Sequence, residues 1–237
     1  MNDMEEEKYC LLCHHFVDKF KPSGVKEEIF EKHHIIGGGY RMNVVCPFCG
    51  CGDRERWLYY VATKYTNLSE LKGKVLHFAP ESSVREFIMS NINIDYYSCD
   101  ITPWKAMHVA DMTDIQFKDS TFDYVISNHV LEHIVDEEKA ISEIKRVLKS
   151  DGKWILSFPI CTDMDTYEDK SIITEQDRYK AYGQEDHVRL YGRDYKERLE
   201  KYGLKITIYS PENKLSEEDI NKYGFIRDDV IIIAEKI

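Results

Sequence analysis

The chain has 237 residues, enough for one packed α/β domain with a small addition and too few for two full-sized domains. Apolar residues make up 43% of it, with 16 Tyr and 10 Phe, which excludes a disordered composition. Its 43 Asp and Glu outnumber 32 Lys and Arg, and the formal charge of -11 opposes nonspecific attraction to phosphate backbones or anionic lipid, so nucleic-acid partners are disfavoured.

The opening MNDMEEEKYC is acidic and holds no apolar run of signal-peptide length. No later segment approaches the roughly 20 apolar residues of a membrane span, so the expectation is a soluble, cytoplasmic protein without a membrane partner. Residues 1–52 lack sustained helical or strand periodicity and contain the turn-prone runs Lys-Pro-Ser-Gly at 21–24 and Gly37-Gly38-Gly39. Such a segment cannot build a conventional core alone. It does carry Cys10-x2-Cys13 and Cys46-x2-Cys49, two knuckle-like pairs able to close a tetrahedral site of four thiolates. All-sulfur, fully occupied coordination suits a structural zinc ion, and metal binding would supply this segment's folding energy.

Seven cysteines is an odd number, which fits metal binding in a reducing compartment better than a disulfide framework. Simple buried free cysteines are the bland alternative, but two CxxC pairs seldom fall together in a short segment by chance. Neither pair ends a strand entering a helix, as a redox motif would. The 32 residues between the pairs exceed the usual spacing of about 15–20, so Cys51, His14, His33 and His34 stand as possible substitute ligands.

Residues 53–72 form a linking helix, with Trp57, Leu58, Val61, Ala62 and Tyr65 at helical spacing and charge opposite. After Gly73 short apolar runs alternate with helical stretches, the pattern of a doubly wound, mostly parallel sheet covered on both faces. Strands are predicted at 74–79, 95–99, 108–110, 122–127, 153–158, 204–209 and 229–235, giving a seven-stranded Rossmann-like sheet within a 73–237 domain. Helices are predicted at 82–91, 136–149 and 193–202, with Asp136 as N-cap and Gly152 turning the chain into the next strand. The polar segment 162–190 is too long for an ordinary connection and reads as a substrate-binding insert.

In such sheets ligands bind beyond the carboxyl ends of the strands. Those positions are Phe78-Ala79-Pro80-Glu81, Asp100, Asp111-Met112 and Asn128-His129. Asp100 follows Ala79 by 21 positions, close to the about 20 expected of an acid that accepts hydrogen bonds from ribose hydroxyls, so the spacing points to an adenosine-containing cofactor. An ordinary solvated turn acid is the competing explanation for each Asp, weakened by their joint spacing.

The run Phe122-Asp-Tyr-Val-Ile-Ser-Asn-His-Val-Leu-Glu-His-Ile134, followed by Ala140–Lys149, Asp151-Gly152 and the strand at 153–158, resembles the class I S-adenosylmethionine-dependent methyltransferases of the type 11-like group. The likeness covers about 74–159. It implies that Asp100 binds the ribose hydroxyls, that Asp111 and the Met112 backbone meet adenine, and that Asn128 and His129 lie along the methionine end. One departure stands out: the first loop, usually glycine-rich, reads His77-Phe78-Ala79-Pro80-Glu81. A pyrophosphate would fit there poorly, which counts against NAD or FAD, whereas S-adenosylmethionine carries no phosphate.

Methyl transfer from a sulfonium is an in-line displacement; the protein aligns the acceptor and, for a hydroxyl, removes a proton. His187 is the expected general base, with Asp186 orienting it and Arg189 or Tyr191 binding substrate, all within the insert's end. The same run also reads as a polar loop paired structurally before the next helix. Arg54, Arg56, Trp57 and Tyr60 are candidates for another pocket wall, though aromatic stripes are more often core. The expected activity is methylation, foremost O-methylation, of a small molecule or saccharide. The alternatives are an RNA or protein methyltransferase that grips its substrate with the zinc module, and an inactive zinc-containing interaction protein.

Overall fold

Alternate residues of a strand point to opposite faces, and from Gly73 onward both sets are apolar, so this part of the chain must be covered on two sides. The computed structural model, which describes residues 7–237 and leaves the acidic opening at 1–6 outside the described residues, meets that requirement. Its sheet comprises β1 Gly73–Phe78, β2 Ile94–Asp100, β3 His108–Val109, β4 Phe122–Asn128, β5 Leu148–Ser157, β6 Leu204–Tyr209 and β7 Ile231–Lys236. Across the sheet the order is β6-β7-β5-β4-β1-β2-β3. Only β7 runs antiparallel, pairing Trp154 with Ala234 on one side and Ile206 with Ala234 on the other. The order reverses beside β1, which pairs in parallel with both β2 and β4 and so opens a crevice at their carboxyl ends.

The helices are α1 Asp53–Lys64, α2 Ser82–Ser90, α3 Glu137–Val147, α4 Glu175–Tyr182, α5 Tyr195–Glu200 and α6 Glu217–Tyr223. Trp57, Leu58, Val61 and Ala62 of α1 and Val84 and Ile88 of α2 cover one sheet face through Val75, Tyr124, Ile155 and Ile233. On the other face Ala140, Ile141, Ile144 and Val147 of α3 pack against Leu76, Trp154, Leu156 and Ile232. The helix expected to link two parts is therefore also a layer of the fold. Asp136 caps α3 as its position suggested, accepting from the Lys139 N–H at 3.0 Å. Strand β5 begins at Leu148, earlier than the predicted 153, because Leu148 already pairs with Phe122 before a register shift that contains Gly152.

The amino-terminal segment is laced into this frame. Its strand Ile35–Ile36 pairs with Ile160–Cys161, which in turn pairs with Tyr191–Gly192. A short helix Glu28–Lys32 supplies Ile29, which packs with Ile35, Cys161, Tyr182 and Leu190 of the 162–190 insert. These contacts bring the 37–39 glycines to the carboxyl end of the sheet.

Candidate functional site

A cleft of about 780 Å³ opens at the carboxyl ends of β1, β2 and β4. Phe78, Ala79, Asp100, Asp111, Met112 and His129 line it, so six of the nine residues expected to hold the cofactor face one cavity. Asp100 Oδ1 accepts from the Thr102 N–H at 2.7 Å, and Asp111 Oδ1 accepts from the Thr113 N–H at 2.7 Å, which fixes both carboxylates on their turns. Ala79 takes φ +46 and His129 φ +51, left-handed conformations that favour glycine, so the two loops bordering the cleft hold unusual backbone without a glycine.

Pro80, Glu81 and Asn128 stand outside the lining. Glu81 accepts from Asn128 Nδ2 at 3.1 Å and lies 2.8 Å from Nε2 of the buried His77, while Asn128 Oδ1 accepts from Ser157 at 3.2 Å. This chain of bonds ties the ends of β1, β4 and β5 together beneath the cleft. Ile101, Thr102 and Arg178 also line the cleft; the first two follow a strand end, and Arg178, on α4, carried no sequence signal.

A second cavity of about 430 Å³ adjoins the first, and His129 and His133 line both. Its walls include Gly37, Gly38, Gly39, Arg41, Arg54, Glu132 and His187. Gly37 takes φ +70, a left-handed conformation that favours glycine, and lies beside the His129 ring. Arg41 forms a forked pair with both carboxylate oxygens of Asp53 at 3.0 and 3.1 Å, and Arg54 donates to the Gly37 carbonyl. Burial and the Arg54 guanidinium lower His129 well below the ordinary imidazole value, so its ring is neutral. Burial pushes the Glu132 carboxyl up to about 8 and the His187 imidazole down to about 4.

The expected pairing of Asp186 with His187 gives way to a different one. Asp186 Oδ2 lies 3.2 Å from His133 Nδ1, while His187, 6% exposed, packs edge-on to the His133 ring with centroids 4.7 Å apart. Arg189 and Tyr191, expected to bind substrate, line neither cavity. Fully buried Arg189 donates to the carbonyls of Leu131, Ile134 and Val135 and to Glu168, because a guanidinium removed from water needs every donor satisfied. Tyr191 stacks on Phe158 at 3.8 Å and donates to Glu137. Of the candidate wall residues on α1, Arg54 reaches the cavity, whereas Arg56 donates to backbone carbonyls including Val44 and Gly224 and Trp57 is core.

The four cysteines converge. Sγ atoms of Cys10, Cys13, Cys46 and Cys49 all lie within 4.8 Å of one another, with 3.8 Å between Cys10 and Cys49 and 3.7 Å between Cys13 and Cys46. A tetrahedral site with Zn–S bonds of about 2.3 Å requires sulfurs about 3.8 Å apart, so the donor set fits zinc. Each pair closes a tight turn, with the His14 N–H bonded to the Cys10 carbonyl and the Gly50 N–H to the Cys46 carbonyl. Cys51 lies 3.4 Å from Cys10 and accepts from Arg56, next to the set rather than in it. His14, His33 and His34, the other possible substitutes, are likewise outside the set.

Residues 71–156 match the family model described as a methyltransferase domain. An uncharacterised protein of Methanocaldococcus jannaschii is 31% identical over 134 residues, 54% of this chain and 63% of that one. Ajmaline N-methyltransferase of Rauvolfia serpentina is 34% identical over 136 residues, 54% of this chain and 40% of that one. The chain thus spans less than two thirds of these relatives' length. Phosphoethanolamine N-methyltransferase 2 of Haemonchus contortus, solved with phosphomonomethylethanolamine and S-adenosylhomocysteine, shares the fold at a TM-score of 0.51 and 15% identity, over 76% of this chain and 52% of that one. The strand order and the crevice beside β1 are those of the class I methyltransferase fold, and residues 71–156 at its centre match a methyltransferase domain.

Proposed function

We propose that this protein methylates a hydroxyl of a small molecule or saccharide, with S-adenosylmethionine in the larger cleft and the acceptor in the adjoining cavity. The observation that carries the reading is the shared wall: His129 and His133 border both spaces, so a methyl group presented from one side meets an acceptor on the other. A volume of about 430 Å³ suits a small molecule rather than a polymer. Two similar proteins, the ajmaline and phosphoethanolamine N-methyltransferases, are named for small-molecule acceptors.

Bound S-adenosylmethionine supplies an electrophilic methyl on its sulfonium. In the cleft they line, Asp100 would hold the ribose hydroxyls, Asp111 and Met112 would border the adenine, and Phe78 and Ala79 would line the methionine side. His129 takes the proton from the acceptor. Burial favours its neutral ring, the 3.1 Å contact of Nδ1 with Glu132 Oε1 orients it, and with Glu132 ionised and accepting from Nδ1–H, Nε2 is left for that proton. His187 lines only the acceptor side. A structural zinc on Cys10, Cys13, Cys46 and Cys49 braces the segment that supplies Gly37, Gly38, Gly39 and Arg41.

Calorimetry of S-adenosylmethionine and S-adenosylhomocysteine with the whole chain tests the reading. Asp100→Ala removes charge-assisted hydrogen bonds of about 1.5–3 kcal/mol, so affinity should fall at least about tenfold. No binding by the unaltered chain, or equal binding by the variant, would sink it. A screen of hydroxyl against amine acceptors then decides the acceptor atom.

A further inference from the structure

Glu132, His133 and His187 bring one carboxylate oxygen and two imidazole nitrogens within 4.8 Å of one another in the wall of the smaller cavity. Glu132 and His187 are 1% and 6% exposed, and Glu132 Oε2 and His187 Nδ1 have no hydrogen-bond partner in the protein. Unpaired polar atoms in the interior are unfavourable, so their convergence asks for a ligand. The neighbouring atoms are already engaged. Glu132 Oε1 faces His129 Nδ1 at 3.1 Å, and His133 Nδ1 faces Asp186 Oδ2 at 3.2 Å, which leaves Nε2 as the free nitrogen of His133.

We propose that Glu132, His133 and His187 bind a divalent transition-metal ion at the acceptor cavity, separate from the four-cysteine centre. Two imidazoles and one carboxylate suit manganese, iron, cobalt or zinc, and three protein ligands leave positions open toward the cavity. Asp186 completes the arrangement, since a carboxylate on the far nitrogen of a metal-binding imidazole sets its tautomer and raises its basicity. The two arginines of this cavity do not forbid a cation: Arg41 is paired with Asp53, and Asp229 lies near Arg54. An ion here draws electron density from an acceptor hydroxyl and lowers the cost of passing its proton to His129. That consequence rests on the methyltransferase reading; the metal site does not.

The test takes the full chain shown by metal analysis to hold one zinc, that of the four cysteines, titrates it with Mn²⁺ and follows the free ion by its electron paramagnetic resonance. One Mn²⁺ per chain is expected, with affinity at least tenfold lower in Glu132→Gln and in His187→Gln, about tenfold lower in Asp186→Asn, and unchanged in His108→Gln at the exposed sheet edge. No stoichiometric binding by the unaltered chain overturns the proposal whether or not a variant folds, and so does undiminished binding by both Glu132→Gln and His187→Gln. S-adenosylhomocysteine calorimetry on the same samples separates the two readings: Mn²⁺ binding without cofactor binding supports the metal site alone, and the reverse overturns it while sparing the methyltransferase.

Discussion

Tyr191 Oη donates a 2.6 Å hydrogen bond to Glu137 Oε1 in the protein interior, and the same carboxylate's Oε2 accepts from Arg198 at 2.7 Å and Tyr202 at 3.0 Å. This buried knot fastens the start of α3 to the end of the 162–190 insert and to α5. Tyr191→Phe should lower stability by about 1–2 kcal/mol, since two donors remain on Glu137. Urea denaturation checks this, and S-adenosylhomocysteine affinity should be unchanged because Tyr191 lines neither cavity.

Arg189 has a wider reach. Its guanidinium holds the carbonyls of Leu131, Ile134 and Val135, the turn that carries Glu132 and His133 and lines the cofactor cleft. Arg189→Met should cost about 3–5 kcal/mol and also weaken S-adenosylhomocysteine binding. Destabilisation with undiminished cofactor affinity would mean that the turn keeps its shape without the arginine.

Burial, with Asp53 nearby, pushes the Asp229 carboxyl up to about 7. A carboxyl raised on folding binds more protons in the native chain than in the unfolded one, so its contribution to stability is present below about 3.9 and is lost as pH rises toward 7. Asn at this position keeps an acceptor for the Val230 N–H, which Asp229 Oδ1 now receives at 3.1 Å. Asp229→Asn should therefore gain on the unaltered chain between pH 5 and 8, read from urea midpoints at both values; a constant difference would contradict the shift.

Metal analysis tests the cysteine centre. Cys46→Ser should hold one zinc fewer than the unaltered chain and unfold more readily, because the metal supplies folding energy to a segment with little core of its own. Cofactor binding should persist, as the cleft is built by the sheet, whereas Gly37, Gly38, Gly39 and Arg41 of the acceptor cavity belong to the braced segment.

Period-two and period-3.6 patterns, the acids after β2 and β3 and the two CxxC pairs were readable in the sequence. A side chain's face follows from its position along its own element, and a strand-end residue lies at the sheet's edge whatever else surrounds it. Which polar groups meet was decided by packing between distant elements. Asp186 adjoins His187 in sequence but contacts His133, and Arg189 and Tyr191 resemble substrate ligands until burial commits their donors to Leu131 and Glu137. Gly37 and His129 come together because Ile35–Ile36 adds to Ile160–Cys161. Local pattern determined the sheet and the cleft at its carboxyl ends; the smaller cavity arose only when distant elements packed together, since burial commits most polar side chains to partners far away in the sequence.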